Sequence, residues 1–133
     1  MMKLNICVIL LLCIRVFAFQ SFGQATLEVQ NNSGRMMRLK VMEFDGGDGT
    51  LFKEISIGAY QNETIEFYSS GRYFTKTKAT LYGKEPVYEK GKPFEVVNDS
   101  RGHSVMTLTF SIKESSIPVT SGKKISKGEF DKN

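Results

Sequence analysis

Hydrophobic and polar residues alternate with a period of two along several short stretches of the chain. Met37, Leu39 and Val41 alternate with polar residues, and in the next stretch Phe52 lies on the opposite side from Ile55. Alternate side chains of a strand point to opposite faces of a sheet, so each stretch predicts a half-buried strand. The stretches with this alternation are 27–29, 37–41, 51–57, 64–68, 72–82 and 106–112, and 94–97 predicts a further short strand.

Turn-forming residues separate these strands at fairly regular spacing. Gly, Asn, Asp and Ser are concentrated in NNSG (31–34), DGGDGT (45–50), GAYQN (58–62), SSG (69–71) and NDSRG (98–102). Residues 83–93 are rich in Lys, Glu, Gly and Pro and predict a long loop. No stretch after residue 23 carries the apolar stripe of a helix. About seven short strands between turns predict an all-β fold, a single-domain β-sandwich.

The N-terminal segment differs from the rest in its pattern. Lys3 precedes an apolar run at 6–14, and apolar residues continue at 16–19 after Arg15. The run is too short to span a bilayer and predicts a signal peptide, with cleavage after Gly23. We therefore expect export to the periplasm, the cell surface or the medium, with no transmembrane segment in the mature chain. The expected division is signal peptide 1–23, sandwich domain 24–113 and a loose polar tail 114–133, with a short edge strand near 117–120.

Removal of the signal peptide changes the charge and the cysteine content. The 133-residue chain has 18 basic and 14 acidic residues and a net charge of +4. Without Lys3 and Arg15, 16 basic residues face 14 acidic ones and the net charge is +2, which does not favour nucleic acid as a partner. Cys7 and Cys13 also leave, so the mature chain has no cysteine and no disulfide framework. We expect a monomer.

Few residues offer catalytic or metal-binding chemistry. His103 is the one histidine, and neighbouring Ser104 would point to the other face of a strand, which disfavours a Ser-His-Asp triad. One histidine without cysteine disfavours zinc. Asp45 and Asp48 lie in a glycine-rich loop but lack the calcium-loop spacing of an EF-hand, and Asp is common in β-turns. We therefore predict no catalytic residue, no metal and no cofactor.

The stretch GRYFTKTKATLYGK, residues 71–84, is the most basic and aromatic strand. Its period predicts that one face turns to the core, with Tyr73, Thr75, Thr77, Ala79 and Leu81. The other face carries Arg72, Phe74, Lys76, Lys78, Thr80 and Tyr82. This second face is either a solvent face, whose lysines discourage pairing with other chains, or an anion- or glycan-binding face. The candidate ligand-binding residues are Arg72, Lys76, Lys78 and Tyr82, together with Tyr88 of the loop GKEPVYEKGKPF.

The start of the same strand resembles a known structural feature. Ser70-Gly71-Arg72-Tyr73 resembles the tyrosine corner of immunoglobulin-like sandwiches. The resemblance implies a Greek-key, immunoglobulin-like topology, with the Tyr73 hydroxyl bonded to upstream backbone. Thr75 stands where antibody-type domains carry their second cysteine, and the chain has no tryptophan. The resemblance therefore implies a fold and not antibody-like recognition.

These observations favour an exported, non-catalytic binding or adhesion module rather than an enzyme. Its ligand would be a glycan, a cell-envelope component or a protein. Two alternatives remain: a small hydrolase that uses carboxylates, and a membrane-active or self-assembling envelope protein that pairs through an exposed strand edge. Three Asn-X-Ser/Thr sequons begin at Asn31, Asn62 and Asn98.

Overall fold

The computed structural model describes residues 24–112 and 122–133, which form eleven strands and one short helix. The strands are β1 (Ala25–Asn31), β2 (Met36–Glu43), β3 (Thr50–Ile57), β4 (Asn62–Phe67), β5 (Gly71–Thr80), β6 (Val87–Lys90), β7 (Phe94–Val96), β8 (Asn98–Asp99), β9 (Gly102–His103), β10 (Val105–Phe110) and β11 (Lys123–Lys124), and the helix is α1 (Lys127–Asp131). The predicted signal peptide and the expected edge strand near 117–120 lie outside the described residues.

The strands form two main sheets, and the predicted all-β sandwich is confirmed. The three-stranded sheet has the order β10-β1-β4, with β1 parallel to β10 and antiparallel to β4. The six-stranded sheet has the order β11-β6-β5-β2-β3, and β7 extends it by pairing with the first residues of β5. β8 and β9, which have two residues each, form a small hairpin at the predicted NDSRG turn. The immunoglobulin-like Greek-key topology stays a prediction.

The core lies between the two sheets, where the period of two places the apolar residues. In β1 burial alternates along the whole strand, with Ala25, Leu27 and Val29 on the buried side. Leu39 and Val41 of β2 face them from the six-stranded sheet and have no exposed surface. The other members of this core cluster are Met37, Ile57, Ile65, Phe67, Tyr73, Ala79, Val96 and Phe110.

A β-bulge turns Phe52 toward the core, which the regular alternation did not predict. The register between β2 and β3 shifts between Val41 and Met42, and Phe52 has no partner in β2. The Phe52 ring stacks on Phe67 at 5.4 Å, with 5° between the ring planes, and lies 5.3 Å from Tyr73. An extra residue reverses the side-chain direction at a bulge. The expectation that Phe52 and Ile55 lie on opposite sides is therefore wrong, because both pack against the core.

Tyr73 occupies the centre of this aromatic cluster. Its side chain is buried, and its ring lies 4.8 Å from Phe67 and 6.3 Å from Phe94. Burial raises the pKa of the Tyr73 hydroxyl above its ordinary value, the negative charge of Glu43 raises it further, and a side-chain hydrogen bond with Ser69 opposes the shift. The tyrosine-corner resemblance, which implies a bond from the Tyr73 hydroxyl to upstream backbone, stays a prediction.

Two of the three sequon asparagines use their amides to hold turns in place. The Asn31 amide nitrogen donates to the main-chain oxygens of Arg35 at 2.7 Å and Gly58 at 3.0 Å, and Asn31 is buried. The Asn98 amide nitrogen donates to the main-chain oxygen of Phe67 at 3.0 Å. Asn62, at the start of β4, is exposed. In the folded protein Asn62 is therefore the most accessible of the three asparagines for attachment of a glycan.

The C-terminal segment, residues 122–133, is ordered onto the sheet. β6 lies within the stretch predicted as a loop and pairs with β5, and β11 pairs with β6. Ser126 caps α1 by accepting a hydrogen bond from the Glu129 main-chain nitrogen at 3.1 Å. The expectations of a long loop over 83–93 and of a loose tail are therefore wrong at 87–90 and 122–133. Backbone pairing does not require an apolar pattern, so the composition did not indicate it.

Candidate functional site

The outer face of the six-stranded sheet, which faces away from the core, is partly covered. Phe74 and Lys76 of β5 are only 1% and 2% exposed, and Met42 of β2 has no exposed surface. Phe130 of α1 is also buried. The sequence predicted a solvent face or a ligand face here. A solvent face is wrong for Phe74 and Lys76, because the C-terminal segment packs over them.

Two buried lysines hold the C-terminal segment through its oxygen atoms. Lys40 of β2 and Lys76 of β5 lie side by side as cross-strand partners. Their ammonium groups donate to the main-chain oxygens of Glu129 (2.8 Å from Lys76), Lys132 (3.0 Å from Lys76) and Phe130 (3.0 Å from Lys40), and to Asn133 Oδ1 (2.6 Å from Lys40). The last carbonyls of a helix lack partners within the helix and carry partial negative charge. The two lysines therefore act as the C-terminal cap of α1.

The environment of Lys76 disfavours its charged form. Burial lowers the pKa of the Lys76 ammonium below its ordinary value, and the positive charge of neighbouring Lys40 lowers it further. The carboxylate of Glu129 opposes this shift, while Lys90 adds to it. Lys76 is buried and donates its hydrogen bonds to the C-terminal segment, so it is not accessible to an external ligand.

Aromatic side chains surround the lysines on this face. The Tyr88 ring lies 5.7 Å from the ring of Phe130, and the Lys78 ammonium lies 5.8 Å above Tyr88. The Lys40 ammonium lies 4.7 Å from the centre of the Phe130 ring. Cations above aromatic rings are attracted by about 0.5–1 kcal/mol at exposed sites and more when water is excluded. Phe130 is therefore the apolar anchor of the C-terminal segment.

The structure brings together three of the five predicted ligand-binding residues. Lys76, Lys78 and Tyr88 lie next to one another. Lys76 and Tyr88 contact the C-terminal segment, and the Lys78 ammonium lies above the Tyr88 ring. Arg72 is at the opposite end of β5 from Tyr82, with its guanidinium 4.8 Å from the Phe44 ring. Tyr82 is fully exposed just beyond β5. The five residues therefore do not form one surface.

A basic groove opens beside the C-terminal segment. This lysine groove has a volume of about 340 Å³ and is lined by Lys90, Gly91, Lys92, Pro93, Lys123, Ile125 and Glu129. Lys90 comes from β6, Lys123 from β11, and Lys92 from the connection between β6 and β7. Glu129 is the one carboxylate among these residues, and its Oε1 lies 3.7 Å from Lys90 Nζ. Positive charge is therefore in excess in the groove.

Gly91 fixes the position of the connection that carries Lys92. The Gly91 main-chain nitrogen donates to the Thr75 main-chain oxygen at 2.8 Å. A Cβ atom at Gly91 would lie 2.6 Å from Thr75 Oγ1, closer than atoms in contact can approach. A glycine is therefore needed to hold the connection against β5, and Lys92 follows at the edge of the groove.

A second cavity is lined by residues of both main sheets and by the same connection. This apolar cleft has a volume of about 270 Å³. Its lining residues are Leu27, Thr75, Gly91, Lys92, Phe94, Met106, Thr107 and Leu108. Four of the eight are apolar side chains, and Lys92 is the one charged residue. Gly91 and Lys92 line both the cleft and the lysine groove.

The residues weighed for catalysis or metal binding have structural partners. Ser104 Oγ accepts a hydrogen bond from the Val97 main-chain nitrogen at 2.8 Å, and His103 is exposed in β9. Asp45 Oδ1 accepts hydrogen bonds from the main-chain nitrogens of Gly47 and Gly49, which closes the loop between β2 and β3. Within 24–112 and 122–133, no group of three or more His, Cys, Asp or Glu side chains is arranged to hold a metal ion.

Sequence reasoning missed the lysine groove. It included Lys90 and Lys92 only within the ligand-candidate loop, and it left Lys123 and Glu129 in the tail. One local signal was present: Ser126 and Glu129 have the Ser-x-x-Glu spacing of a helix capping box. The pairing of β11 with β6 has no comparable signal in the sequence.

Comparisons with protein-family models, with curated proteins and with solved structures find no match to this chain. Among the residues that the structure describes, no helix has the length and apolar character needed to cross a membrane. The sole described helix, α1, has five residues.

Proposed function

We propose that this protein is an exported, non-catalytic binding module whose ligand carries carboxylate, sulfate or phosphate groups. The observation that carries the proposal is the lysine groove, whose described lining has Lys90, Lys92 and Lys123 and a single carboxylate, that of Glu129. Ammonium groups on flexible stems bind such anions as point charges without demanding one geometry. Acidic glycans and anionic envelope components present these groups outside the cytoplasm.

The distribution of carboxylates supports binding rather than hydrolysis. A carboxylate-dependent glycosidase needs two carboxyl groups about 5–10 Å apart across the scissile bond. The lysine groove has one carboxylate, the apolar cleft has none, and a small cavity beneath β6 has one, that of Glu89. None of these three cavities, as lined by the described residues, therefore provides a pair.

An array of glycans and lipids tests the proposal, with uronic-acid, sulfated and phosphorylated members beside neutral ones. We expect binding to acidic members only, and binding should weaken as salt rises from 50 to 500 mM because exposed charges are screened. The variant Lys92→Ala/Lys123→Ala should lose at least tenfold in affinity.

A matched variant, Lys53→Ala/Lys84→Ala, removes two exposed lysines away from the groove and should bind as the wild type does. Equal binding of neutral and acidic members, or equal losses in the two double variants, contradicts an anion-binding groove.

Self-assembly through strand edges is the second candidate function. In the described part of the chain, β3 pairs only with β2, while β4 and β10 each pair only with β1. Unpaired strand edges are templates for pairing with another chain. We expect a monomer, and light scattering over rising protein concentration distinguishes the two cases: a mass that grows with concentration supports assembly.

A further inference from the structure

The apolar cleft and the lysine groove lie side by side and share part of their walls. The connection between β6 and β7 contributes to both, because its Gly91 and Lys92 line both. The hydrogen bond from Gly91 to Thr75 holds this shared wall in place. One molecule could therefore reach both cavities by lying across the shared wall.

The walls of the cleft are parts of the core that the described residues leave partly uncovered. Phe94, Met106 and Leu108 pack against the buried core cluster but are themselves only partly buried. Leu27 lies deeper and is 4% exposed. Removing such apolar surface from water is favourable in proportion to its area, so an apolar chain in the cleft is stabilised.

Charge determines what kind of apolar molecule fits. Among the described residues that line the cleft, Lys92 is the one that carries a charge, and on the groove side it is joined by Lys90 and Lys123. A lysine has an apolar four-carbon stem and a charged head, so Lys92 matches a ligand that is apolar at one end and anionic at the other. A neutral apolar ligand would leave the positive groove unused.

We propose that this site binds a single-chain anionic amphiphile, with its acyl chain in the apolar cleft and its carboxylate or phosphate head at Lys92 and Lys123. The inference rests on the proposed anion-binding function and specifies its ligand class. The cleft, at about 270 Å³, is slightly below the usual size of a pocket that encloses a whole small ligand. It therefore takes part of a chain, and affinity rises about fourfold for each methylene that is buried.

Calorimetric titration of the full-length mature protein tests the inference. Three probes are used below their micelle concentrations: dodecanoate, butanoate with the same head and a short chain, and dodecyl maltoside with the same chain and a neutral head. We expect dodecanoate to bind at least tenfold more tightly than either of the others. Lys92→Ala should weaken dodecanoate binding at least fivefold, and Lys53→Ala, on the distant strand β3, should leave it unchanged.

A second variant tests the cleft rather than the head. Leu108→Phe adds volume to a partly buried wall and should reduce the preference for dodecanoate over butanoate, while butanoate binding stays the same. If this variant does not fold, as judged by circular dichroism, the chain-length comparison in the wild type still decides.

Equal affinity for butanoate and dodecanoate, both weakened by Lys92→Ala, overturns the amphiphile and leaves the anion-binding function intact. Dodecyl maltoside binding as tightly as dodecanoate, with no effect of Lys92→Ala, also overturns it. If none of the probes binds and the array of acidic ligands is also silent, both proposals fail.

Discussion

The two faces of the six-stranded sheet are both buried, but by different means. The inner face presents Leu39 and Val41 to the other sheet, and neither side chain has exposed surface. The outer face presents Lys40 and Lys76, which are buried because a twelve-residue C-terminal segment lies over them. Burial on one face follows from apolar area, and burial on the other follows from hydrogen bonds to backbone oxygens around one apolar anchor.

This difference has a consequence for how each face opens. The inner face joins strands from both sheets, so it can be lost only when the sandwich itself unfolds. The C-terminal segment that covers the outer face is local in sequence. It contacts the sheet through Phe130, through the oxygen atoms at the end of α1 and through the short pairing of β11 with β6. Segments with few buried apolar contacts open at lower free energy than the whole fold. The two faces should therefore respond differently to the same kind of mutation.

The largest effect is expected on the inner face. Leu39→Ala removes a side chain with no exposed surface from β2, an interior strand of its sheet, and leaves a cavity between the sheets. We expect a loss of about 3–5 kcal/mol in the free energy of unfolding, measured by urea denaturation. Ile55→Ala is the matched control, because Ile55 pairs with Leu39 but lies half-buried on the edge strand β3 and should cost less. Equal losses in the two variants would contradict the assignment of Leu39 to the centre of the core.

A smaller effect is expected from the anchor of the outer cover. Phe130→Ala should cost less than about 2 kcal/mol in global unfolding, below the roughly 3–5 kcal/mol of a core Phe→Ala change. The reason is that the C-terminal segment can undock instead of keeping a cavity. Hydrogen exchange should show lost protection in 122–133 and unchanged protection in β2 and β5.

The exposed residue Lys127 on the same helix provides the control for Phe130. Lys127→Ala removes an ion pair with Asp131 at 2.7 Å, and such solvent-exposed pairs contribute little to stability. If Phe130→Ala lowers protection throughout the sandwich, the outer cover is part of the global core and the contrast between the two faces disappears.

The inner face was accessible from the sequence because it follows a local rule. The period of two identified the main strands and assigned Leu39, Val41 and Tyr73 to the core side. It failed at Phe52, where a bulge adds one residue and reverses the side chain. The bulge is a pairing irregularity between two strands, and the alternation within a single strand contains no signal for it.

The outer face and the candidate site were not accessible in the same way. The alternation of side chains along β5 places Lys76 and Thr75 on opposite faces of the sheet. It does not indicate whether another segment covers the face that carries Lys76. The lysine groove joins Lys92 to Lys123, which are far apart in sequence, through backbone pairing of β11 with β6. Two-residue strands and short helices have almost no compositional signature. Only the Ser126–Glu129 capping spacing indicated local order in the tail.

The smallest expected effect is a change in pH dependence, and it tests what holds the outer cover. Burial and Lys40 lower the pKa of Lys76 in the folded protein, so between that value and the usual lysine pKa of about 10.4 the unfolded chain binds more protons. The free energy of unfolding should therefore rise with pH through this alkaline window. Below the window Lys76 is charged in both states, and the full cost of burying its charge lowers the stability of the fold. The raised pKa of Tyr73 has the opposite sign, because it lowers stability as pH passes the usual tyrosine value.

A difference measurement separates the two contributions. The stability of the wild type minus that of Lys76→Met, followed by urea denaturation from pH 8 to 10.5, cancels the Tyr73 contribution and should increase with pH. Lys78→Met is the matched control for removing a lysine from this strand, since Lys78 lies two residues along the same face and is half-buried. A flat difference for Lys76→Met would mean that its charge stays well solvated. The C-terminal segment would then be held mainly by the apolar contacts of Phe130. Both faces of the sheet would in that case be buried chiefly through apolar area.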